Sequence, residues 1–104
     1  MKKFLRAKPA RDPRRERPIV VTRMHTTIYE LSIDGQRWAS VEYSRRHSRW
    51  CIEDSRGKCL AHIDGIVGDA AKASEAVALA KEMIRDERMP PPEYVAARLR
   101  GNRR

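Results

Sequence analysis

The sequence predicts an α+β fold: a small antiparallel three- to four-stranded meander with one main helix packed on one face, a short C-terminal helix and disordered basic tails. Three observations carry this expectation. Short alternating or β-branched runs between residues 19 and 64 are separated by turn signals, Asp34-Gly35 and Asp54-Ser55-Arg56-Gly57. From Ala73 the apolar residues change to the 3–4 spacing of a helix. The cations gather at the two ends of the 104-residue chain and leave its centre close to neutral.

The elements follow in order. Ile19-Val20-Val21-Thr22 is β-branched and reads as a short strand or as an arm lying on the domain. Thr27–Ile33 alternates Tyr29, Leu31 and Ile33 on one face, and Asp34-Gly35 supplies the two positive φ values of a type I′ turn, so Gln36–Tyr43 returns antiparallel. That register sets Leu31 opposite Trp38 and Ile28 opposite Val41, with apolar residues on both faces, the mark of a bulge or of coverage on both sides. After the polar turn Ser44–Ser48, Arg49–Glu53 places Trp50 and Ile52 on one side, and Asp54–Gly57 leads into Lys58–Asp64. Asp69 or Ser74 can cap the helix that follows. Its stripe of Ala76, Val77, Ala80, Met83 and Ile84 is narrow enough to lie close against large sheet residues. Met89-Pro90-Pro91-Pro92 is expected to stop it, and Glu93–Arg100 to form a second short helix ending at Gly101.

Charge divides the chain into three: a basic disordered N-terminal tail, 1–17, a single α+β domain, 18–97, and a basic C-terminal tail, 98–104. Residues 1–17 hold eight basic and two acidic residues, 98–104 hold four arginines, and 18–97 hold eleven basic against twelve acidic residues. Pro9, Pro13 and Pro18 interrupt the first arginine run, which has too little apolar surface to offset its chain entropy. Phe4-Leu5 is too short for a secretory core, and no stretch approaches the roughly 18 apolar residues of a membrane span, so a cytoplasmic protein without a membrane partner is expected.

Chemistry-bearing patterns are few. His47, Cys51, Cys59 and His62 give His-x3-Cys-x7-Cys-x2-His, which lacks the close cysteine pair of a structural zinc site, and both cysteines fall inside predicted strands. Two reduced thiols on a sheet are the simpler reading. His62 and Asp64 can share a strand face, but no nucleophile elbow and no phosphate-binding glycine pattern accompanies them. Glu53 and Asp54 are adjacent and so point to opposite faces of a strand. The expectation is a non-enzymatic protein with no catalytic residue, no metal and no cofactor.

The remaining constellation is Arg37, Trp38, Tyr43, Arg45, Arg46, His47, Arg49 and Trp50. Guanidinium groups neutralise phosphates, exposed rings stack on bases, and a two-stranded ribbon fits a major groove. Trp38 and Trp50 are better read as core residues beneath the helix. The expected phosphate contacts are Lys2, Lys3, Arg6, Arg14, Arg15 and Arg17 in the first tail, Arg37, Arg45, Arg46 and Arg49 in the hairpin, and Arg103 and Arg104 at the end. Trp50-Cys51-Ile52-Glu53-Asp54, then Gly57, Leu60, Glu75-Ala76 and Ala80, resembles the last two strands and the helix of three-stranded DNA-binding domains, those of ethylene-response factors and the amino-terminal domain of some phage integrases. The resemblance implies a sheet lying in the major groove with a helix bracing its back. It supplies no individual DNA-contacting residue, because Ala61-His62-Ile63-Asp64-Gly65 stands where the third strand of those domains closes on Leu-Gly and an aromatic residue.

Two functional classes fit this pattern. The first is a small basic nucleic-acid-binding accessory protein, its partner DNA, RNA or a ribonucleoprotein, gripped by the tails and oriented by the 37–50 hairpin. The second is a protein-interaction module docking an acidic protein surface, such as a phage or mobile-element inhibitor or a subunit of a larger assembly.

Overall fold

The computed structural model describes residues 13–101, and the expectations of disorder for residues 1–12 and 102–104 lie outside the described part. Five strands form one sheet: β1 (Val20–His25), β2 (Ile28–Ile33), β3 (Gln36–Ser44), β4 (Arg49–Asp54) and β5 (Cys59–Asp64). They lie in chain order and every neighbouring pair is antiparallel. Helices α1 (Ala70–Arg85) and α2 (Glu93–Gly101) follow. The fold is the expected α+β meander with one strand more than the three to four expected. The addition is β1, a strand rather than an arm. All six of its residues are exposed, so the backbone ladder from Val20↔Ser32 to His25↔Ile28 holds it rather than side-chain burial.

The β2–β3 turn forms at Asp34 (φ 53) and Gly35 (φ 80), both with the positive φ of a type I′ turn. Beside the turn the register is the expected one, Ile33↔Gln36 and Ser32↔Arg37. It then slips by one residue, so that Leu31 pairs with Ala39 and Ile28 with Glu42 instead of with Trp38 and Val41. The bulge at Trp38 sets Trp38 and Ala39 together against Leu31, and all three are fully buried. Beyond it the alternation resumes, with Ala39 and Val41 on the helix side and Ser40 and Glu42 on the open side. The β4–β5 turn is organised by Asp54, 4% exposed, whose Oδ1 accepts hydrogen bonds from the backbone N–H of Arg56 and of Lys58, each at 2.9 Å.

Asp69 caps α1, its Oδ1 accepting from Ala71 N at 3.0 Å and Lys72 N at 3.3 Å. The buried face of α1 is Ala73, Ala76, Ala80, Met83 and Ile84, with Val77 only half-buried. This face packs across β2–β5 over Leu31, Ile33, Trp38, Val41, Trp50 and Ile52. Small residues on the helix and two indoles on the sheet fill one layer. α1 stops at Arg85, before the prolines. Arg88 N bonds Met83 O at 2.8 Å and Glu87 N bonds Ile84 O at 3.2 Å, and Glu87 takes the left-handed conformation (φ 60) that usually falls to glycine. Met89 then enters the core, Pro92 is buried at the start of α2, and Val95 anchors that helix.

Residues 13–17, expected within a disordered tail, form a turn closed by Arg17 N donating to Pro13 O at 3.1 Å, and the turn packs on the domain. Arg14 is 7% exposed. Its guanidinium lies 5.2 Å from the Trp38 ring centre and donates to Met89 O at 3.3 Å. Arg85 donates to the carbonyls of Arg14 and Arg17, and Arg17 pairs with Asp34 at 2.9 Å. A flat cation over a buried indole is compatible with low polarity, which is why this arginine folds in with the core.

Two stability measurements follow. Arg14→Ala lowers the unfolding free energy by about 2 kcal/mol, because the stacked cation and its hydrogen bonding are lost together; a denaturant midpoint equal to that of the parent contradicts the docking. Glu87→Gly relieves the left-handed backbone and loses only an exposed ion pair with Arg15, so it raises stability by about 0.5 kcal/mol; a lower melting temperature contradicts that account.

Candidate nucleic-acid interface

Strand alternation gives the sheet two unlike faces. One lies under α1. On the other, cross-strand pairing lines up Thr22, Glu30, Ser40, Glu53 and Cys59 in one row and Ile28, Glu42, Cys51 and His62 in the next. Arg49 stands beside them between Ser44 and Asp64. Carboxylates therefore face the position where a DNA-reading sheet would meet phosphates. Arg37 does not offset this, because its Nη1 is 4.0 Å from Glu30 and its Nη2 donates to Ser55 O at 2.9 Å.

The crowding of acids shows in Glu53, whose carboxyl is held above the ordinary glutamate range. Burial contributes most, the charge of Glu42 next, and Asp54 adds to both, against a long hydrogen bond from Ser40 Oγ at 3.5 Å and the charge of Arg37. On the same face the Cys51 thiol is pushed up by burial and by its neighbour Cys59, with Arg49 pulling the other way. Both cysteines are free. Among the described residues no three His, Cys, Asp or Glu side chains converge as a metal site, and His47 stands apart in the β3–β4 turn. His62 and Asp64 share a face at 3.8 Å, both exposed.

The expected contact residues separate into groups. Lys2, Lys3, Arg6, Arg103 and Arg104 lie outside the described residues. Arg14 is corrected from a phosphate contact to a core residue, since its charge is taken up by Trp38 and Met89. Arg15 pairs with Glu87 at 3.2 Å and Arg17 with Asp34 at 2.9 Å. Arg49 is half-buried, with a buried Nε that has no partner. Arg45 and Arg46 are exposed in the turn between β3 and β4 and make no side-chain ion pair among the described residues. Trp38 and Trp50 belong to the core, and Tyr43 meets Trp50 edge-on at 5.2 Å while its hydroxyl donates to Gly65 O at 3.0 Å, so none of these rings is offered to a base.

One cation escaped the sequence reading. Arg23, exposed on β1, lies with its guanidinium 6.0 Å over the Tyr29 ring and has no carboxylate partner among the described residues. Its pairing with Tyr29 across the β1–β2 ladder puts it on the helix side of the sheet, near the end that carries Arg45. The single signal in sequence was its place in a strand whose register could be set only once β1 was known to pair with β2. At the opposite end, Arg56 and Arg100 both donate to Glu93, at 2.8 and 3.2 Å, and hold its carboxyl below the ordinary range. Unpaired arginines thus collect at the turn end that includes Arg23, Arg45 and Arg46.

No helix among the described residues is long and apolar enough to cross a membrane. Comparison with family models, with curated proteins and with solved structures finds no match to this chain.

The Glu53 environment sets a pH dependence. Its raised value means that the folded state holds the proton more tightly than the unfolded one, so stability is greatest below the ordinary glutamate range and declines as pH rises through the elevated value. Glu53→Gln removes this penalty: the variant melts higher than the parent at pH 7, and the gap closes near pH 4. Equal melting temperatures at pH 7 contradict the acid crowding.

Proposed function

We propose that this chain is a small, basic, non-enzymatic nucleic-acid-binding accessory protein whose domain meets phosphates at the turn end of the sheet rather than on its open face. The observation that carries the reading is the allocation of arginines. Arg15, Arg17, Arg37, Arg56, Arg88 and Arg100 are matched to carboxylates of the fold, while Arg23, Arg45 and Arg46 are exposed without one among the described residues. Unmatched guanidinium groups grouped at one end make a phosphate-seeking surface. Residues 1–12 and 102–104 contribute further cations to the whole-chain net charge of +9. In the DNA-binding sheets that the sequence resembles, the open face enters the groove; here Glu30, Glu42 and Glu53 on that face favour the turn end.

A second reading, a protein-interaction module, draws on the outer edge of β1. Val20, Val21 and Met24 are exposed there beside a backbone edge with no neighbour, and an extended segment of an acidic protein would pair with that edge.

Salt-dependent binding separates the two. Arg45→Ala together with Arg46→Ala weakens oligonucleotide binding several-fold at about 100 mM salt and flattens the slope of log affinity against log salt by about 1 to 2 units, with an unchanged melting temperature because neither side chain has a partner to lose. Unaltered affinity removes the turn from the interface, and co-purification of a single protein after nuclease treatment favours the second reading.

A further inference from the structure

The turn end is hollowed. Arg23, Thr27, Tyr29, Arg45, Trp50 and Asp69 line a depression of about 390 Å³ between the β1–β2 turn, the β3–β4 turn and the start of α1. Its floor is aromatic, with the Tyr29 and Trp50 rings 6.1 Å apart and tilted by 54°. The Arg23 guanidinium lies over Tyr29 and extends that surface towards solvent. Trp50 closes the bottom of the hollow from within the core, 1% exposed, so Tyr29 and Arg23 supply the flat surface open to a ligand. Asp69 is the one carboxylate on the wall, and its Oδ1 is engaged in capping α1.

Two unpaired guanidinium groups above an aromatic floor match the chemistry of a nucleotide: a phosphate for the arginines, a flat base for the ring and guanidinium planes. The volume lies near the lower end of small-molecule clefts, about 300–1,000 Å³. It has room for one nucleotide turned out of a strand and none for stacked base pairs. Paired bases keep their faces inside the stack, so only an unpaired nucleotide can present one here. The carboxylates of Glu30, Glu42 and Glu53 make the adjoining open face a poor seat for a duplex.

We propose that this hollow takes one unpaired nucleotide of a single strand, its phosphate between Arg23 and Arg45 and its base against the Arg23–Tyr29 stack. The inference rests on the nucleic-acid reading above and deepens it from phosphate binding to recognition of single strands.

The test is fluorescence anisotropy on the full chain at about 100 mM salt, with a labelled mixed-sequence 12-nucleotide DNA strand, the RNA of the same sequence and the DNA duplex. The single strands bind about ten-fold more tightly than the duplex. In Arg23→Gln with Arg45→Gln this preference disappears, while duplex affinity falls by no more than about three-fold. Both arginines are exposed, and circular dichroism of the variant confirms that the sheet remains. Equal affinity for strand and duplex, or an equal loss on both in the variant, overturns the hollow and leaves general phosphate binding standing. Binding to none of the three overturns both.

Discussion

The architecture depends on how closely α1 can approach the sheet. Ala73, Ala76 and Ala80 bring the helix backbone down onto β3 and β4, and the space they leave is filled by Trp38 and Trp50. Neither partner works alone: larger residues on the helix would lift it from the indoles, and smaller residues on the sheet would leave a cavity, at about 3–5 kcal/mol for loss of a tryptophan. The bulge at Trp38 belongs to the same constraint. It turns that indole and Ala39 to the buried side together and lets Arg14 close over the outer edge of the ring.

Charge follows from the fold more than from composition. A net +9 suggests a uniformly basic particle, yet Arg15, Arg17, Arg37, Arg56, Arg88 and Arg100 are paired with carboxylates of the fold, and the open sheet face bears acids. The exposed arginines of residues 18–97 left without a carboxylate among the described residues are local: Arg23, Arg45 and Arg46. The functional reading rests on this difference between total and unmatched charge, because only unmatched cations gain when a polyanion arrives.

Much of the scaffold was legible in the sequence because its signals are local. Asp34-Gly35 fixes a turn, Asp69 caps a helix, and 3–4 spacing selects Ala76, Ala80, Met83 and Ile84 as a buried stripe. The misses involve partners distant in sequence. Arg14 reads as a tail cation until Trp38, Met89 and Arg85 are assembled around it; the bulge was marked by the apolar residues on both faces of the hairpin, but its place after Ser32, and so the partners of Leu31 and Ile28, was not. α1 ends early because Glu87 accepts a backbone conformation that propensity assigns to glycine, ahead of the prolines that drew attention. Of the expected contact residues, Arg45 and Arg46 remain exposed in a turn with no ion pair among the described residues, whereas Arg23 was hidden in a strand without a register.

The docked segment before β1 also gives the domain two poles. Arg17 bound to Asp34 fixes the incoming chain beside the β2–β3 turn, and Arg56 bound to Glu93 fixes the start of α2 at the neighbouring β4–β5 turn. Arg45 and Arg46 lie at the far end of the same strands, and six residues of strand span about 20 Å. The two ends are therefore chemically unlike: one has its guanidinium groups locked into clasps that hold chain segments in place, the other keeps them open to solvent.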